Sequence, residues 1–287
     1  MAREKIALPM HHCLQYGLGD IFRTIYRNNG WFSRVKDASK DYDISIYICS
    51  HNQYAIDIFK YFSYVNFVNT KWNHKHPPYK QFAKKSNSRF VDPSFFDNRY
   101  KSQPVTMILN KREQDKFDKI TSKPVIVIHP FAGDISRMPI SSRKYHKLVE
   151  SLKIKTNSNI VILGGSYIRG KRLKVIPSKN IRESFNIRNM PNVYNLVGKI
   201  STRLSAKLTE SAECFIGNWS AYSCIAWEKQ VPMIMFTGPN GYKEFMRRRS
   251  NRFSWHKKCI AINAKNKNGN VCFKRALDKY EEFTKTK

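Results

Sequence analysis

No CxxC pair occurs in the 287-residue sequence, and its six cysteines, Cys13, Cys49, Cys214, Cys224, Cys259 and Cys272, are scattered. Most of them lie in apolar segments beside strand-forming residues, which excludes the usual zinc and redox motifs and reads as buried free thiols. The histidines add no metal site, because His11-His12 and His74-Lys75-His76 lack a second ligand pair at usable spacing. Apolar runs of the roughly 20 residues needed to span a bilayer are also missing. The longest candidates, such as Val125 to His129 and Val231 to Phe236, have the length of a buried strand. The N-terminal MAREKIALPMHH starts basic but carries too short an apolar stretch for a signal peptide, so a cytoplasmic protein is expected. Tandem repeats and long low-complexity tracts are absent as well.

Acid is scarce: 21 Asp and Glu stand against 52 Lys and Arg, a formal net charge of +31. Self-repulsion on that scale is a cost that a polyanionic partner relieves. Nucleic acid is the first candidate, and an anionic membrane or lipopolysaccharide surface the second. The bland alternative is a solubility or genome-composition effect, since the chain is also rich in Asn, Ile and Tyr. What is present in quantity is apolar and aromatic: 41% hydrophobic and 13% aromatic residues, the composition of a folded chain.

The order of patterns predicts an α/β protein. Lys5 to Cys13 reads as a strand, Gly17-Leu18-Gly19-Asp20 as a turn, and Ile21 to about Asn28 as a helix. Asp43 to Ser50 and Val65 to Val68 read as further strands, and Lys111 to Lys119 as a helical or irregular connector. From Pro124 onward, strands are expected at Val125–Ile128, Asn159–Gly165, Tyr194–Val197, Cys214–Ile216, Met233–Phe236 and Cys259–Ile262. Helices alternate with them, and a closing helix is expected over 271–287. The absence of hairpin signals predicts parallel sheets with helices on both faces, in two Rossmann-like domains, 1–122 and 123–287, facing a cleft where ligands bind.

Four landmarks occur in order: Gly17-Leu18-Gly19-Asp20; His129-Pro130 followed by Arg137 and Pro139; Gly164-Gly165; and Gly217-Asn218-Trp219-Ser220 running to Phe236-Thr237-Gly238-Pro239. In these the chain resembles the ADP-heptose:lipopolysaccharide heptosyltransferase family of GT-B glycosyltransferases. The resemblance implies an N-terminal acceptor-side domain and a C-terminal domain that binds a nucleotide-sugar donor. It places Asp20 in the position of the catalytic base, a carboxylate able to take the proton of an attacking hydroxyl; capping of the following helix is the competing reading. It places Arg137 against the donor diphosphate. The loops at Gly164, Gly165, Gly217, Asn218, Trp219, Ser220 and Gly238 are expected to offer main-chain N–H groups and a helix N-terminus to phosphate.

One departure stands out. Where the family carries Asp-Ser-Gly and then a His, this chain has Trp219-Ser220-Ala221 and Cys224, which argues for a donor other than ADP-heptose. Trp219 either stacks on a sugar or base or fills a repacked turn.

Joined to the charge, these readings predict transfer of a sugar to a hydroxylated base in DNA. Acceptor contacts are expected from Gly17, Gly19, Lys84, Lys85 and Arg89, with basic stretches tracking phosphates. A lipopolysaccharide-core or other surface-glycan transferase is the alternative, and a non-catalytic nucleic-acid-binding protein on a GT-B scaffold a third reading. The nucleotide sugar is a substrate, and neither a further cofactor nor a metal is called for.

Overall fold

The computed structural model describes residues 3–9, 18–27, 30–48, 61–69, 84, 87–97, 99–131, 140, 144–164, 167–169, 175–177, 190–239, 241–243, 258–264 and 269–285. They fall into two compact units, residues 1–108 and 109–287.

In the first unit, β1 (Glu4–Pro9), β2 (Tyr42–Ile48), β3 (Asn66–Asn69) and β4 (Arg89–Phe90) make a parallel sheet in the order β3-β2-β1-β4. Parallel neighbours need a crossover, and α1 (Leu18–Tyr26) with α2 (Trp31–Ala38) supplies the one between β1 and β2. Ile6, Ala7 and Leu8 of β1 are fully buried, as are Phe22 and Ile25 of α1 and Phe32 and Val35 of α2. Helix α1 starts earlier than the sequence pattern suggested and takes in Gly19 and Asp20, which corrects the expected turn at Leu18 to Asp20. The apolar series Leu18, Phe22, Ile25, Tyr26 has helical spacing and carries the helix back by one turn. The expected strand residues 10–13 and turn residue Gly17 lie outside the described residues.

The second unit opens with α3 (Lys111–Ile120), whose N-terminus is closed by a capping box between Asn110 and Glu113. It continues with β5 (Val125–His129), α4 (Tyr145–Lys155), β6 (Asn159–Ile162), β9 (Val193–Asn195), α5 (Thr202–Glu210), β10 (Cys214–Asn218), α6 (Ala221–Glu228), β11 (Met233–Thr237), β12 (Cys259–Asn263) and α7 (Gly269–Lys285). Between β6 and β9, β7 (Tyr167–Arg169) and β8 (Val175–Pro177) pair antiparallel. This ribbon corrects the expectation that hairpins are absent; its three-residue strands are too short to show a period-two pattern.

The main sheet runs β12-β11-β10-β5-β6-β9, all parallel. Its order is that of a dinucleotide fold, with the strand order reversing between β5 and β10. Every residue of β5, β6, β10 and β11 is buried, as parallel strands covered on both faces must be. On one face α4 and α7 pack over Ile126, Ile128, Ile160, Ile216, Ile234 and Phe236. The other carries α5 and α6.

Glu113 ties α3 to α5: its carboxylate accepts two hydrogen bonds from Arg203 at 2.8 Å and one from Ser201 at 2.5 Å. Burial would raise the Glu113 pKa, but the hydrogen bonds from Arg203, Ser201 and the Asn110 N–H outweigh it and hold the carboxyl below its ordinary value. The stretch read as a connector is therefore an integral helix of the second unit.

Candidate functional site

In an open parallel sheet, ligands bind outside the carboxyl ends of the strands at the point of reversal. Here that point lies between His129, the last residue of β5, and Asn218, the last residue of β10. Gly217 is register-paired with His129, and the strands approach so closely that a Cβ at 217 would lie 2.3 Å from the His129 carbonyl oxygen. The glycine expected to cradle phosphate is thus required by strand packing. Gly164, just after β6, is likewise spoken for: a Cβ there would lie 2.5 Å from the ring of Phe131. Gly238, past the end of β11, differs, since a Cβ would meet nothing within 4 Å.

Asn218 is fully buried and braces this edge. Its Nδ2 donates to the Pro130 carbonyl at 2.8 Å, and its Oδ1 accepts from the Tyr145 hydroxyl at 3.1 Å. Tyr145 in turn packs in a trio with Phe236 and Phe273, with ring centroids 5.3 to 5.7 Å apart. Both ends of the Asn218 amide are used inside the protein, so its part is to hold the β5 and β10 termini together.

Ser220 is the N-cap of α6. Its Oγ accepts from the Ser223 N–H at 3.3 Å, and its own N–H donates to Ser223 Oγ at 3.0 Å. A capping box of this kind satisfies main-chain donors within the helix, so the Ser220 hydroxyl and N–H, expected to face phosphate, are both engaged in the cap. Cys224 one turn later is buried and donates weakly to the Ser220 carbonyl, with sulfur and oxygen 3.5 Å apart. Trp219 is half-buried and links strand to helix.

Three buried polar atoms along this edge have no hydrogen-bond partner among the described residues: His129 Nδ1, Thr237 Oγ1 and Asn263 Oδ1. Thr237 and Asn263 are register partners that close β11 and β12. Side-chain alternation puts them, with His129, on the α6 face of the sheet, opposite the face of Ile216, Ile234 and Phe236. The His129 ring lies 5.0 Å from that of Tyr222 in α6. Burial pushes the His129 pKa down to about 4, with main-chain hydrogen bonding at residues 131 and 129 opposing it. The imidazole is neutral at physiological pH and offers this edge a hydrogen-bonding group without charge. Orphaned buried polar atoms cost stability unless something satisfies them. Burial and partners of this kind depend on contacts between distant strands, and the sequence pattern singled out neither His129 nor Asn263 as a polar group of the site.

Gly164, Gly217, Asn218, Trp219, Ser220 and Gly238 are therefore gathered at one sheet edge. Gly165 and Arg137 lie outside the described residues, as do Gly17 and Lys85. In the first unit, α1 follows β1, which sets Asp20 in the first helical turn at the carboxyl edge of that sheet, with Gly19 beside it. Lys84 precedes β4 and Arg89 begins it, at the amino edge. The expected acceptor cluster of Gly19, Lys84 and Arg89 is thus divided between opposite edges, because β1 and β4 run parallel. Cys214, Cys224, Cys259 and Cys272 are buried free thiols, and Cys13 and Cys49 lie outside the described residues. Among the described residues no group of three or more His, Cys, Asp or Glu is placed to hold a metal, and no helix is long and apolar enough to cross a membrane.

Two parallel α/β units with a closing helix make a GT-B-like fold, and comparison with solved structures shows the same class. The chain is similar to the glycosyl transferase family 9 protein of Veillonella parvula over 99% of its own length and 98% of the other's, with a TM-score of 0.61 at 12% identity. It is similar to E. coli ADP-heptose lps heptosyltransferase II over 98% of both chains, with a TM-score of 0.60 at 11% identity. E. coli heptosyltransferase WaaC with ADP-2-deoxy-2-fluoro heptose aligns over 96% of this chain and 99% of its own, with a TM-score of 0.51 at 13% identity. No protein-family model and no curated protein matches the sequence.

Proposed function

We propose that this chain is a glycosyltransferase that moves a sugar from a nucleotide donor to a hydroxyl of a polyanionic acceptor. The observation that carries the reading is the likeness, over nearly the whole length of both chains, to transferases of which one is described by ADP-heptose and lps. The phosphorylated core of a surface glycolipid is accordingly the favoured acceptor. A hydroxylated base in DNA is the second reading, and the formal charge of +31 favours it, although either polyanion would relieve that charge.

In this reading the second unit holds the donor at the carboxyl edge of its sheet. Ligand hydroxyls or phosphate oxygens take up His129, Thr237 and Asn263, and the first turn of α6 faces phosphate. His129 brings no charge, so Arg137 with Gly165 and neighbouring main-chain N–H groups meets the charge of the diphosphate. Trp219 and Cys224, in place of the acid and imidazole that the resemblance leads one to expect, adapt the edge to a donor other than ADP-heptose. In the first unit Asp20 takes the proton of the acceptor hydroxyl. The acceptor oxygen bonds to the anomeric carbon as the bond from that carbon to the diphosphate oxygen breaks, and the nucleoside diphosphate leaves with the electron pair.

The test is to incubate the protein with a panel of nucleotide sugars and either a lipopolysaccharide-core acceptor or hydroxymethylated DNA, and to weigh the acceptor. Sugar on the glycolipid alone supports the favoured reading, and sugar on DNA alone selects the second. No transfer to either, with DNA held in a steeply salt-dependent manner, would leave a binding protein on a transferase scaffold.

A further inference from the structure

The amino edge of the first sheet carries a groove that the reaction does not use. Its cavity of about 550 Å³ lies between the start of β1 and the chain entering β4, a size suited to a small ligand. Lys5 and Lys84 line it, and neither ammonium has a partner among the described residues. Arg89, the third cation, is held in place: its Nε pairs with Glu4 at 2.9 Å, and its guanidinium lies 5.2 Å from the centre of the Phe95 ring. A second guanidinium, that of Arg99, lies 4.8 Å from the same ring. Asn87 takes a left-handed φ of 50°, which asparagine tolerates better than most residues, and its N–H donates to the Lys84 carbonyl at 3.2 Å. That turn sets Lys84 beside the start of β4. The first strand spans about 17 Å from Glu4 to Pro9 at the rise of a strand, and Glu4 and Lys5 of the lining stand at its start, away from the edge that leads to Asp20.

We propose that this groove is an exosite for a phosphorylated sugar of the acceptor, distant from the hydroxyl that reacts; the inference rests on the polyanionic-acceptor reading above. Two ammonium groups without a partner among the described residues, together with the Arg89 guanidinium, suit a phosphate monoester. The remaining lining suits a sugar: Glu4 and Asn87 offer hydroxyl-binding oxygens, and Phe90 an apolar surface. A nucleic-acid duplex presents a continuous rail of phosphates, whereas the cations here are gathered around one groove. An exosite of this kind raises the residence of a large acceptor without touching the chemistry, since two linked contacts bind more tightly than either alone.

The experiment titrates glucose 6-phosphate, glucose and a short DNA duplex into the full chain and into a Lys5→Gln/Lys84→Gln variant, whose exposed substitutions leave the melting temperature unchanged. Glucose 6-phosphate binds the native chain, glucose binds far more weakly, and the variant loses affinity for the sugar phosphate by about tenfold or more. In the transfer assay the variant raises KM for the phosphorylated acceptor and leaves kcat and the donor KM as they were. Equal glucose 6-phosphate affinity in the two proteins overturns the proposal, as does lysine-dependent binding of the duplex alone. Absence of transfer from every nucleotide sugar would overturn the transferase reading instead, while the titration still decides the groove.

Discussion

Replacing Gly217 with alanine puts a methyl group where the structure has no room. The added carbon would lie 2.3 Å from the carbonyl oxygen of His129, 3.0 Å from its carbonyl carbon and 3.2 Å from its nitrogen. Even close carbon–oxygen contacts stay at about 3.3 Å, so relief requires β5 and β10 to part by about 1 Å. The obstacle is main chain in the middle of a parallel sheet and cannot rotate aside. Overpacking of this kind costs about 1–3 kcal/mol, and a backbone clash belongs at the upper end, about 3 kcal/mol. In a unit of this size that lowers the melting temperature by about 6–12 °C. Gly238→Ala is the control, because its methyl meets open space and should change stability by no more than about 0.5 kcal/mol. Gly164→Ala falls between, since its obstacle is the ring of Phe131, a side chain that can shift. Thermal and urea unfolding followed by circular dichroism read the series. A Gly217→Ala protein that melts with the native chain, or an order in which Gly238→Ala is the worst of the three, would refute the reasoning.

Other consequences can be read in the same way. The unfolded chain protonates His129 near its ordinary pKa of 6.5, whereas the folded chain resists until about 4, so stability is lost as pH falls from about 6.5 to 4. The loss amounts to about 3 kcal/mol, and a His129→Leu variant flattens that part of the urea-midpoint profile. Glu113→Gln leaves the 6% exposed Arg203 without its counter-charge and costs about 3 kcal/mol; adding Arg203→Met recovers part of the loss in chemical denaturation. Asp20→Asn lowers transfer by about 100-fold or more while donor binding and the melting temperature stay unchanged, and retained turnover would remove Asp20 from the mechanism.

The strands of the second unit were legible because parallel strands buried on both faces must be apolar throughout. VIVIH, CFIGN and MIMFT announce themselves without any period. Their order in the sheet was legible only as a class, since the pattern shows βα alternation and leaves open which neighbours pair. The β7–β8 ribbon escaped notice through its brevity. Helix α3 was underrated because its anchor, Arg203, lies 90 residues away in sequence. The carboxyl edge of the second sheet was legible by position, and the reason for its glycines was misjudged. Gly164 and Gly217 do mark the carboxyl edge, yet Phe131 and His129 are what require glycine there. Asn218 and Ser220 mark it too, and both are bound up in bracing it. The separation of Lys84 and Arg89 from Asp20 follows from strand direction, which no local motif encodes.

A nucleotide held at the carboxyl edge of the second sheet would shield the main chain there. Hydrogen exchange read by mass spectrometry, with and without saturating ADP, UDP, GDP or CDP, tests it most directly. At least one of these is expected to slow exchange in segments containing 129–131, 217–223 and 237–238 and to leave the amino edge of the first sheet unaffected. Protection confined to other segments, or none with any nucleoside diphosphate, would contradict it.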